Sequence, residues 1–83
     1  MILLKYLWQP GCTICEYLEP IFIRMCENNG WSYEIVNART MNLSDIQLYR
    51  VTMTPTILVF QDGQYRGKIE KNIRQSTVEL FLK

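Results

Sequence analysis

The sequence predicts an α/β fold of βαβαββα order, a four-stranded mixed sheet flanked by helices, in one domain spanning residues 1–83. Three observations predict it. A strand-forming run at Ile2–Leu7 leads through a turn into a helical pattern and then a second strand, so a crossover must join those strands in parallel. A later apolar run ends in Gln61-Asp62-Gly63, a hairpin signal that predicts an antiparallel pair. Finally, 83 residues with 48% apolar and 20% charged side chains suit one small globular core.

The elements follow in order. The first strand stops at Gln9-Pro10-Gly11, where a missing N–H and a flexible Gly mark a turn. From Cys12 the apolar positions Ile14, Leu18, Ile21, Phe22 and Met25 trace one face of a helix. That helix is expected to close near Asn28-Asn29-Gly30, with Gly as a left-handed cap, and to bend at Pro20. Trp31–Val36 reads as the second strand, and Asn42 as the N-cap of a short helix reaching about Tyr49. Thr56–Phe60 and Gln64–Ile69 form the predicted hairpin. Ser76-Thr-Val-Glu79 has capping-box spacing, which predicts a terminal helix running to about Leu82.

Charge and hydropathy narrow the function. A formal net charge of +1 without a Lys/Arg cluster offers no electrostatic footprint for nucleic acid or an acidic membrane. No apolar run nears the roughly 20 residues that cross a bilayer, and Met1–Leu7 lacks the basic region and cleavage site of a signal peptide. Three cysteines, Cys12, Cys15 and Cys26, are an odd number, unlike a secreted disulfide framework, and lean towards a reducing, cytoplasmic setting.

The stretch WQPGCTIC at positions 8–15 carries the chemistry. It places a C-x-x-C pair between a strand and the first turn of a helix. Free N–H groups and the positive end of the helix dipole favour a thiolate there. Cys12 at the helix edge is expected to be the exposed, attacking sulfur. Cys15, one turn inside, is close enough to resolve a mixed disulfide. A single-chain Cys/His zinc site is excluded, because the chain has no His and only one further Cys; a cluster bridged between two chains stays open. No cofactor is expected. Cys26 reads as a small buried hydrophobe on the inward side of the helix. Trp8 reads equally as a rim or a core residue, and Tyr33, Tyr49 and Tyr65 as packing residues.

These residues resemble a thioredoxin-fold thiol-disulfide oxidoreductase, over nearly the whole length from Ile2 to Leu82. The resemblance rests on Trp8 four residues before the first cysteine, on CTIC, on Pro20 five residues after the second cysteine, and on YRVTMTPTILVFQDG at positions 49–63. It implies a thioredoxin-like domain without the family's optional N-terminal strand and helix, a catalytic pair Cys12 and Cys15, and a cis-proline loop at Thr54-Pro55-Thr56 that binds extended substrates. Ile14 and Met53 flank this site and read equally as an apolar contact surface for substrates or as cover for that end of the fold. The implied partners are disulfide-containing protein substrates and a cellular reductant, thioredoxin reductase or glutathione, acting on a monomer.

Departures from the family pattern concern the surroundings of the pair. Gly11 stands where thioredoxin has an aromatic residue, and Thr13-Ile14 replace its Gly-Pro. The buried acid that assists proton transfer aligns with Tyr6, and Glu34 is the candidate substitute for it. Two rival functions remain open: a glutathione-dependent, glutaredoxin-like reductase, and a noncatalytic module that holds a peptide along the Thr54-Pro55 loop. The paired glycines usual after the third strand in glutaredoxins are not evident in QDGQYRGKIEK.

Overall fold

Strand β1 (Ile2–Trp8) is the spine of the molecule, because its side chains bury on both faces: Leu4 and Tyr6 point one way, Leu7 the other. The computed structural model describes residues 1–82, so Lys83, the last residue of the expected domain, lies outside the described residues. After β1 come α1 (Thr13–Asn29), β2 (Ser32–Asn37), a 3₁₀ turn at Ala38–Thr40, α2 (Leu43–Leu48), β3 (Thr56–Gln61), β4 (Gln64–Ile69) and α3 (Gln75–Glu79). The sheet order is β2-β1-β3-β4. β1 pairs in parallel with β2 and antiparallel with β3, which in turn pairs antiparallel with β4. This is the mixed four-stranded sheet that the crossover and the hairpin signal predict.

One face of the sheet carries the main core. Leu4, Tyr6, Ile57, Val59 and Ile69 meet Phe22 and Cys26 of α1 and Val78 of α3. The Tyr6 and Phe22 rings lie 4.8 Å apart, and Tyr33 of β2 meets Phe22 edge-on at 5.9 Å. On the other face Phe60 gathers Tyr49 and Tyr65 at 5.9 and 5.5 Å, with the Lys5 ammonium 5.2 Å above its ring. All three tyrosines thus pack as expected.

The helical stripe needs one correction. Phe22 is buried and Leu18 and Met25 are half-buried, but Ile14 and Ile21 are exposed; Cys15 and Cys26 take the inward places instead. The stripe read from the sequence is broader than the strip of helix the sheet can cover. Gly30 closes α1 at φ +69, and Trp31 N–H reaches back to Cys26 O at 2.9 Å. Pro20 lies inside the helix.

Two caps also differ from expectation. Asn42 holds the N-cap position of α2, but only its backbone carbonyl is used, accepting from Asp45 and Ile46. The capping box at Ser76 does not form. α3 starts two residues earlier, with Arg74 rather than Ser76 as N-cap, and it ends at Glu79 rather than about Leu82. Tertiary contacts fix that phase: Asn29 Nδ2 donates to Gln75 Oε1 at 3.1 Å, and Val78 is driven into the core.

Candidate active site

The turn between β1 and α1 builds the site from its backbone outward. Pro10 and Gly11 reverse the chain, with Gly11 at φ +84, and Cys12 N–H closes the turn on Gln9 O at 3.2 Å. A side chain at Gly11 would be strained in that left-handed conformation.

Cys12 is the N-cap of α1, in extended conformation, and its sulfur accepts the Cys15 N–H at 3.2 Å. The two cysteines form a disulfide, with Cα atoms 5.2 Å apart. Their exposure differs. Cys12 is half-buried, whereas Cys15 is only 1% exposed, one turn inside the helix. Cys26 is free, fully buried and remote from the pair along α1; burial first, and Glu27 second, push its thiol up to about 11.

The loop before β3 closes over Cys12. The carbonyl oxygen of Thr54 lies 3.8 Å from the Cys12 sulfur, the Thr54-Pro55 peptide is cis, and Pro55 is buried. Thr56 Oγ1 donates to Met53 O at 2.7 Å and pins the loop's shape. The structure therefore brings Cys12, Cys15, Thr54 and Pro55 together. Ile14 and Met53 are 53% and 44% exposed, large apolar side chains turned to solvent, Ile14 within the C-x-x-C turn and Met53 in the loop over Cys12. Trp8 is half-buried and packs against the core.

Beneath the pair, Tyr6 is fully buried and its hydroxyl donates to Cys15 O at 2.7 Å. Desolvation, reinforced by Glu19, pushes its phenol up to about 12. It is a neutral donor that anchors the first turn of α1. Glu34 does not replace the missing acid. In the β1–β2 register Tyr6 faces Ile35, and Glu34 pairs with Lys5, so alternation turns Glu34 to the opposite face of the sheet from Tyr6 and α1. Its carboxylate lies 3.8 Å from Lys5 Nζ and is largely solvated.

Sequence reasoning missed Gln9 and Arg39, which line a cleft of about 190 Å³ beside the Thr54 loop. Arg39 sits in the 3₁₀ turn, whose start is set by Asn37 Oδ1 accepting the Arg39 N–H at 2.9 Å. An Asn beginning a short polar run is the signal that could have found it. No group of three or more His, Cys, Asp or Glu residues able to hold a metal is present among the described residues.

The described residues adopt a thioredoxin fold. The chain is similar to thioredoxin 1 from Thermosipho africanus, at TM-score 0.76 and 18% identity over 95% of this chain and 88% of that one. It is similar too to a single-site mutant of a thioredoxin from Halobacterium salinarum, at 0.78 and 20% over 96% and 71%. The reduced Schistosoma mansoni thioredoxin pre-protein matches at 0.80 and 14% over 98% and 79%. No protein-family model matches the sequence, and no curated protein does. The arrangement at the end of β1, a C-x-x-C disulfide on a helix N-terminus facing a Thr-Pro loop, is thus carried by a fold shared with thioredoxins.

Proposed function

We propose that the protein is a thiol-disulfide oxidoreductase that reduces protein disulfides through Cys12 and Cys15. The observation that carries this reading is the unequal placement of the bonded cysteines: Cys12 is half-buried and its sulfur accepts a helix N-terminal amide, whereas Cys15 is buried one turn away. In the reduced protein a Cys12 thiolate accepts the Cys15 N–H and attacks a substrate sulfur, releasing one substrate thiolate. Cys15 then loses its proton and attacks the Cys12 sulfur. The second substrate thiolate leaves, and the Cys12–Cys15 disulfide retains the oxidation. An external reductant returns two electrons and two protons.

The loop at Thr54 and Pro55 is the proposed rest for an extended substrate, flanked by Ile14 and Met53. Thioredoxin reductase is the preferred electron donor over glutathione, because the neighbouring folds are thioredoxins. Both sulfurs and the apposed loop come from one chain, which favours a working monomer, and the unpaired Cys26 suits a reducing compartment such as the cytoplasm. Among the described residues no helix is long and apolar enough to cross a membrane. Insulin reduction tests the proposal: turnover sustained by thioredoxin reductase is expected, turnover with glutathione alone shifts it to the glutaredoxin-like rival, and turnover with neither refutes it in favour of a peptide-binding module.

A further inference from the structure

The cleft beside the Thr54 loop has a one-sided chemistry. Ile46, Val51 and Met53 make it apolar, while Gln9, Arg39, Thr52 and Thr54 are its polar residues, the Thr52 hydroxyl already donating to Glu70 Oε2 at 3.4 Å. No carboxylate lines it. Arg39 forms no ion pair among the described residues. Thr54 Oγ1 is buried and has no hydrogen-bond partner among the described residues. A volume of about 190 Å³ exceeds the roughly 30 Å³ share of one water several-fold, so the cleft has room for a side chain.

Thr54 connects this cleft to the reaction. Its carbonyl oxygen lies 3.8 Å from the Cys12 sulfur, and the residue lines the cleft. A substrate chain laid along the loop with its cysteine on Cys12 therefore brings a nearby side chain to the cleft, since residues of an extended chain advance only about 3.3 Å each. A side chain that suits this lining has an apolar stem and accepts hydrogen bonds from the Gln9 amide and the Arg39 guanidinium. A carboxylate does so, and Arg39 supplies the charge it needs.

We propose that this cleft is a specificity subsite for an acidic side chain, within two residues of the reactive cysteine of a polypeptide substrate. The inference rests on the thiol-exchange reading and goes beyond it by naming the substrate class. Thr54 is then a backbone rest, and Arg39 the residue that selects charge.

The test uses the reduced protein and short peptides blocked at both ends, each carrying one cysteine as its 2-thiopyridyl disulfide. Glu or Gln is placed one or two residues to either side, and release of the neutral pyridinethione gives kcat/KM. At one or more positions the Glu peptide is expected to react about five- to tenfold faster than its Gln counterpart. Arg39→Gln brings that ratio to about one, and Arg39→Lys restores part of it. A ratio of one at every position in the wild type overturns the proposal, as does a preference that survives Arg39→Gln. A preference seen only for a free C-terminal carboxylate in an unblocked Gln peptide overturns the side-chain assignment. Failure to release pyridinethione from any peptide refutes the exchange reading itself, which separates the two claims.

Discussion

Replacing Tyr6 by Phe removes one hydroxyl and tests whether that group secures the active-site helix. The hydroxyl donates to Cys15 O at 2.7 Å inside the core, in contact with no solvent. A net loss of about 0.5–1.5 kcal/mol is expected at pH 7, or a fall of about 4–8 °C in Tm for each kcal/mol. The pH dependence adds a sharper test. Folding raises the Tyr6 phenol from 10.0 to about 12, so the folded state holds this proton more tightly than the unfolded chain. Its contribution is fully present below pH 10 and is lost as pH rises through 12. Two pKa units correspond to about 3 kcal/mol, and the variant, having no phenol, does not lose it. The deficit at pH 7 is recovered when this loss reaches about 1 kcal/mol, which places a crossover near pH 10.7, within a range of about 10–11. Urea unfolding followed by Trp fluorescence, on oxidised protein in a Cys26→Ala background that prevents thiol scrambling, measures both arms. A variant equal to wild type at pH 7, or a gap that widens above pH 10, would refute the reasoning.

The unequal burial of the pair predicts that Cys12→Ser abolishes disulfide exchange, whereas Cys15→Ser still attacks and accumulates a substrate-linked species detectable by intact-mass spectrometry. Cys26, fully buried and with its thiol pushed up to about 11, is expected to resist iodoacetamide near neutral pH until the protein unfolds, as peptide mapping would show. Glu34→Gln is expected to leave the pH profile of exchange unchanged, because Glu34 faces away from Tyr6 and α1; a shifted profile in stopped-flow exchange contradicts this placement. At Gly67, φ is +147 and a Cβ would lie 2.5 Å from the Phe81 ring, so Gly67→Ala should displace that ring and cost about 1–3 kcal/mol, measured by chemical denaturation.

Particular residues show where the sequence was legible. Turn chemistry fixed the hairpin at Asp62-Gly63 and the end of α1 at Gly30, because each position takes a positive φ. The C-x-x-C pair was legible because strand, turn and helix succeed one another within 15 residues. The start of α3 was not, since the helix is placed by Val78 packing in the core and by a contact between Asn29 and Gln75, 46 residues apart, neither of which the local Ser76 signal shows. Nor was the side of the sheet taken by Glu34, which a one-residue change of register reverses. The cleft at Arg39 was equally hidden, because its walls come from the turn before α1, the 3₁₀ turn, α2 and the segment before β3, which meet only in the folded chain.

The account turns on Cys12 and Cys15 being a reversible two-electron couple. Equilibration of the protein across a series of glutathione redox buffers, followed by acid quench, alkylation and peptide mapping, measures this directly. The predicted result is one transition, in which Cys12 and Cys15 gain and lose protection together, with a tenfold change in equilibrium constant for about every 29.6 mV. Cys26 stays reduced throughout. No transition at any ratio, or a disulfide that draws in Cys26, would contradict the account.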